Sequence, residues 1–339
     1  MKKITLLAIV ALILLIFINP SKISTFNNLD SNINSLEEIE TIDFKGEIQY
    51  LEYKNRLCLL NDNKLKIIDE DGKEIHTQEI QSENTKIYGN SYIDILSKNT
   101  NKGFSMDENG KVVFSTKVSP ETFLYESINQ HVFVDIFKGS DKETLKILNN
   151  DGEVNNRVEV DGKITNIKTM DNYILMSYIS ITNKIQNKLA LYDENGNVKQ
   201  ETEFNDIILD ILKIDGNIYI VFEDNIKILD KELSEKNSIK IEGVSLIEQN
   251  DENNIFIKDS QGNWGYIKDE KYKGIKTKEV NLNLEGIKDT YLLYTDKTIY
   301  NDRQKQIINF NEEIKGIEAI GKNSIAVVFE NKIKIYKIL

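Results

Sequence analysis

The stretch NKLALYDENGNVKQETEF (Asn187–Phe204) decides how the chain is read. An apolar run, Leu189–Tyr192, meets Asp-Glu-Asn-Gly, and a polar run follows. The same shape occurs as DEDG at Asp69–Gly72, DENG at Asp107–Gly110 and NNDG at Asn149–Gly152. Such pieces are either calcium loops or turns. An EF-hand loop needs Asp at position 1, Gly at position 6 and a bidentate Glu at position 12. With each Gly set at position 6, position 1 is Ile67, Ser105, Ile147 or Leu191, and position 12 is Gln78, Thr116, Val158 or Thr202. No copy carries the glutamate, and three put an aliphatic residue at the first ligand. The pattern therefore predicts a type I turn closed by a glycine in the left-handed region, joining two antiparallel strands.

Working outward, each turn belongs to a repeat. RLCLLNDNKLKIIDEDG, SYIDILSKNTNKGFSMDENG, HVFVDIFKGSDKETLKILNNDG, NYILMSYISITNKIQNKLALYDENG and NIYIVFEDNIKILDKEL each read as strand, polar tip, strand and turn. NIFIKDSQGNWGYIKDEK, YLLYTDKTIYNDRQ and SIAVVFENKIKIYKIL are weaker copies. The copies recur every ~37 residues, near the roughly 40–45 of a propeller blade. A strand precedes each hairpin, as in KIYG (Lys86–Gly89), ITNIKTM (Ile164–Met170) and ILDILKI (Ile208–Ile214). A more polar strand follows each turn, as in EIHTQEI, KVVFSTKV, EVNNRVEV and NVKQETEF. Near-continuous apolar middle strands (Val132–Phe137, Ile218–Phe222) require cover on both faces, whereas a polar, alternating strand is half wet. The expectation is an all-β chain: a β-propeller of about eight four-stranded blades. Seven is the alternative, because the seventh copy is short. The last copy ends after its third strand, so EIETIDF (Glu38–Phe44) is expected to close the ring as an outer strand.

Bulk composition agrees. At 339 residues, with 40% hydrophobic and 29% charged residues, the chain suits a folded domain rather than a disordered one. A net charge of −12 argues against a nucleic-acid partner, since phosphate binding needs a basic face. The one cysteine, Cys58, allows no intrachain disulfide and reads as a small buried hydrophobe.

At the N-terminus Lys2 and Lys3 precede an apolar stretch, Ile4–Ile18, broken only by Thr5. Fifteen helical residues span roughly 22 Å, short of a hydrocarbon core of roughly 30 Å. The length fits either an anchor or a signal-peptide core. NPSKIS (Asn19–Ser24) lacks the small-residue pair of a cleavage site, which favours an uncleaved anchor in the lipid bilayer. The lysines place the N-terminus in the cytoplasm and the rest outside it. Secretion after cleavage is the alternative. The expected organisation is an anchor at 1–18, a polar Asn- and Ser-rich stalk at 19–37 and a propeller ectodomain at 38–339.

Candidate sites are few. His76 and His131 fall in separate copies with no partner motif, so both read as surface or edge residues. Paired acids could meet in the central channel, but acids are too common for sequence to choose among them. No cofactor or metal set is expected. GNWGYI (Gly262–Ile267) is similar to one copy of the WG-type repeat of bacterial proteins. Its Trp264 is either a packed blade residue or a contact platform. The fourth hairpin is longer than its siblings, and its tip, Ile179–Lys188, offers Ile179, Ile181 and Ile185 as an interaction surface if it protrudes.

LYDENGNV (Leu191–Val198) resembles turns of quinoprotein-like and tryptophan–aspartate-repeat-like propellers. The quinoprotein tryptophan docking motif and the Gly-His and Trp-Asp signatures are absent. A short N-terminal anchor before a propeller of this composition resembles a family of membrane-anchored propeller-like proteins of low-GC Gram-positive bacteria. That resemblance implies location and fold, not chemistry. The functional expectation is a non-enzymatic, membrane-tethered scaffold that binds another envelope protein. A glycan-active envelope enzyme using channel-mouth carboxylates, and a small-ligand sensor, are the alternatives.

Overall fold

The structure, a computed structural model, describes residues 33–81, 83–129, 132–139, 142–180, 185–250, 254–277, 282–287 and 290–339. The expected anchor, the stalk up to residue 32, His131 and Ile181 lie outside the described residues. Among the described residues, no helix is long and apolar enough to cross a membrane.

Eight antiparallel sheets of four strands each make up the described chain. Seven are built from consecutive strands: residues 49–79, 85–117, 122–160, 162–204, 210–240, 244–274 and 283–309, called blades 1 to 7. Blade 8 combines residues 316–338 with Leu36–Asp43, which pairs with Lys332–Ile338 as its outer strand. The eight-blade expectation and the closure by an N-terminal outer strand both hold. The short seventh copy is a complete blade, although its third strand, Thr298–Tyr300, has only three residues. Closure is tied at both ends: Asn34 N–H donates to Leu339 O at 3.1 Å, and Asn301 Nδ2 to the carbonyl of buried Ile33 at 3.1 Å.

The core is divided into eight apolar clusters, each shared between two neighbouring blades. The period-2 geometry of a strand produces this arrangement. In the second strand of blade 1, Leu57 and Leu59 pack toward blade 8, while Cys58 and Leu60 pack toward blade 2. Both faces of the strand are covered, so it reads as an unbroken apolar run. Each fully buried aliphatic side chain contributes roughly 1.5–3 kcal/mol, so the ring is held by its seams. Outer strands face water on one side and are polar, as in Val198–Phe204.

The four DENG-like stretches are turns between the third and outer strands. Asp69, Asp107, Asn149 and Asp193 each accept, through a side-chain oxygen, the N–H groups two and four residues on, at 2.8–3.1 Å. The closing glycines have φ of 76–81°. Blades 5 and 7 build the same turn on Asp230 and Asn301, with Leu233 and Gln304 in the left-handed position. In blade 6 the equivalent turn, on Asp259, joins the second and third strands and so lies on the other side of the ring. The glycines also meet the preceding blade. A Cβ on Gly72 would stand 2.9 Å from Glu40, on Gly110 2.2 Å from the His76 ring, and on Gly152 2.9 Å from Ser115 O. The turn is therefore an inter-blade contact as well as a chain reversal.

Candidate functional site

The innermost strand of each blade is a sheet edge, and its channel-side backbone groups have no ladder partner. From blade 7 round to blade 2, the neighbouring blade supplies one. Glu285 Oε1 of blade 7 accepts Ala319 N–H of blade 8 at 2.9 Å. Glu318 Oε1 of blade 8 accepts Glu52 N–H of blade 1 at 3.1 Å. Gln49 of blade 1 donates from Nε2 to Thr85 O of blade 2 at 2.6 Å and accepts Ile87 N–H at 3.3 Å. These side chains clasp the blades on either side of the ring closure.

The Glu285 and Glu318 clasps border a cavity of about 410 Å³ on the channel wall, lined by Tyr50, Glu52, Glu248, Glu285, Tyr294 and Glu318 among others. Burial, with the charges of Glu318 and Glu248 added, holds the Glu285 carboxyl well above the ordinary range. Burial and the Glu318 charge push Glu248 up to about 7. Tyr50 and Tyr294 are raised by burial and by the same carboxylates. The cavity thus gathers carboxyl groups of which Glu248 and Glu285 keep their protons to higher pH than free carboxyls do. Such a set can share protons. Glu126 of blade 3, also raised to about 7 by burial, lines a second recess with Lys168.

A second polar group closes the seam between blades 2 and 3. Buried Asp94 accepts Ser105 Oγ–H, Ser127 N–H and Ser127 Oγ–H, each at 2.6 Å. Tyr125 OH lies 3.1 Å from Ser105 Oγ. Burial raises Asp94 to about 6 despite these donors.

The opposite rim carries exposed apolar residues. Connections between second and third strands, and those from one blade to the next, share this side. Ile185, beside the fourth tip, is 74% exposed, Ile207 57% and Leu209 44%. Ile207 and Leu209 stand in the link from blade 4 to blade 5 and line a recess of about 360 Å³.

The sequence candidates separate. Ile185 is exposed, whereas Ile179 is half-buried in the second strand of blade 4. Trp264 is buried, and its Nε1–H donates to Leu282 O at 2.8 Å across the seam to blade 7, so it takes the packing role. His76 is half-buried against Gly110. Cys58 lies in the seam between blades 1 and 2, where burial pushes the thiol up to about 12, outside nucleophile range. Sequence reasoning did not single out the channel carboxylates. The signal was present once the blades are aligned: Leu51-Glu52, Tyr125-Glu126, Ile247-Glu248, Leu284-Glu285 and Ile317-Glu318 each place an acid after an apolar residue of the innermost strand.

Fold and site together define an eight-bladed β-propeller with a carboxylate-lined channel and an apolar arc on one rim. The chain is similar in fold to BamB from Moraxella catarrhalis, with a TM-score of 0.59 and 9% identity over 89% of this chain and 100% of that one. It is equally similar to the WD40 domain of SCAP from fission yeast, with a TM-score of 0.59 and 9% identity over 90% and 98% of the two chains. The Dos1 propeller gives a TM-score of 0.56 at 11% identity over 89% and 95%. No protein family and no curated protein matches the chain in sequence.

Proposed function

We propose that the chain is a membrane-tethered, extracytoplasmic propeller that acts as a protein-interaction scaffold in the cell envelope. The observation that carries this reading is the exposed arc of Ile185, Ile207 and Leu209 on one rim. Exposed apolar residues on the side that carries the inter-blade links suit a surface that a partner covers. The lysine-flanked segment Ile4–Ile18 supports the tether. The test is a photo-crosslinking residue placed in living cells at Ile185, with Tyr173 on the opposite face as the control. The expected result is a discrete protein adduct from Ile185 alone, lost in Ile207→Asp. Equal adducts from both faces, or none, would remove the reading. Fractionation of a chain lacking residues 1–18 checks the tether: it leaves the membrane fraction if Ile4–Ile18 anchors it.

The convergence of Glu248, Glu285 and Glu318 in one cavity favours a second reading, an envelope enzyme acting on glycan. Against it, Glu285 and Glu318 are each engaged with a neighbouring strand. Incubation with purified cell-wall glycan decides: release of reducing ends, abolished in Glu248→Gln, would establish the enzyme over the scaffold.

A further inference from the structure

The link from blade 4 to blade 5 departs from those that follow blades 1, 2, 5, 7 and 8. In blades 1, 2, 5, 7 and 8 the residue after the outer strand is apolar: Ile80, Val118, Ile241, Phe310 and Phe44. Each turns inward, its N–H donating to a carbonyl of the turn between the second and third strands at 2.8–3.0 Å. Blade 4 has Asn205 at this position, and it is exposed. Its link buries Ile208 instead and leaves Ile207 and Leu209 in solvent.

These two residues line the recess, with Phe222 as its buried apolar wall and Asp206, Glu223 and Asp224 around it. The three acids are exposed, and among the described residues none forms an ion pair. Lys240, across the ladder from Asn225, pairs with none of them. Asn225 itself has a buried Oδ1 with no donor. Exposed Asp171, by contrast, is matched by Lys213 and Lys231. Exposed apolar residues beside negative charge without a paired cation are the complement of an apolar side chain flanked by N–H-rich cations. At about 360 Å³ the recess is at the small end of ligand clefts and takes one or two side chains.

We propose that this recess docks a partner's extended basic segment: one Leu- or Ile-type side chain seated on Ile207, Leu209 and Phe222, with Lys or Arg neighbours facing Asp206, Glu223 and Asp224. This rests on the scaffold reading and names its partner chemistry. The rim acids supply orientation and salt-sensitive encounter, and the apolar seat supplies residence.

The test uses the full-length protein and an array of nonapeptides with a central Leu or Ile, half flanked by Lys and Arg and half by Asp and Glu. The expected result is at least tenfold preference for the basic half, weakened by added salt. Ile207→Ser with Leu209→Ser lowers binding at least tenfold, and Asp206→Lys with Asp224→Lys abolishes the basic preference. All four positions are exposed, so matched melting temperatures confirm intact folding. Equal binding of both halves, or either variant binding like the parent, overturns the proposal. So does self-association of the parent that Ile207→Ser removes, which would make the occupant a second copy. The two readings fail separately. Array preference without an in-cell adduct keeps the recess and removes the envelope partner. An Ile185 adduct unaffected by Asp206→Lys and Asp224→Lys keeps the scaffold and removes the basic segment.

Discussion

At Gly110 two demands meet in one residue. Its φ of 81° lies where side chains are strained, and a Cβ would stand 2.2 Å from the His76 ring of blade 1. Gly46 isolates the first demand, with φ of 71° and nothing within 4 Å. Gly46→Ala is therefore expected to cost about 1 kcal/mol and Gly110→Ala at least about 2 kcal/mol more, measured by urea unfolding. His76→Ala should recover most of the difference, whereas an equal cost at the two glycines would refute the inter-blade role. Asp94 presents the complementary case. Asp94→Ala leaves Ser105 and Ser127 without their acceptor inside the blade 2–3 seam, at an expected cost of about 2–3 kcal/mol. Asp94→Asn keeps an acceptor and should cost clearly less.

Among the elements, the outer strands and turns were the most legible. Their signals, polar alternation and Asp-x-x-Gly, depend only on neighbours along the chain. The turns on Asp230 and Asn301 were harder to see, because Leu233 and Gln304 replace the glycine. The innermost strands were least legible. Glu285 and Glu318 are ordinary acids in sequence, and only the ring places them against another blade's backbone. Their coupling predicts a titration. Burial is the larger cause of the Glu248 shift and the Glu318 charge the next. Glu318→Gln should therefore lower the Glu248 midpoint from about 7 toward the ordinary range without reaching it, read from the side-chain carboxyl resonance. An unmoved midpoint would show that the two carboxylates do not share the cavity.

For the whole molecule, the ring is a chain of seams closed by Leu36–Asp43. Removing residues 1–44 should expose the edge of Lys332–Ile338 and the apolar seam between blades 8 and 1. The expected outcome is aggregation in size-exclusion chromatography rather than a modestly weakened monomer. Stability should also depend on pH in an uncommon direction. Asp94, Glu126 and Glu248 have midpoints raised to about 6, 7 and 7, so the folded state holds protons that the unfolded chain has released. That stabilisation is complete below the unfolded midpoints near 4 and is lost as pH rises through 6 to 7. The Asp94 share alone is about 3 kcal/mol. Asp193, Asp171 and Glu38 are lowered by hydrogen bonds and lysines, so their contribution disappears below about pH 4. Urea midpoints should peak near pH 5 and fall by pH 8; a maximum at neutral pH would contradict the burial of these acids.

By itself, the sequence determined the blade repeat, the apolar middle strands, the turns and the closing strand, because each follows from strand periodicity and local backbone preference. Only the tertiary structure decided which acids gather in the channel, that Trp264 is packed, and that Ile207 and Leu209 stand exposed while Ile208 is buried. Those outcomes depend on which blade faces which across the ring. That is a relation between residues far apart in the chain, and no local pattern encodes it.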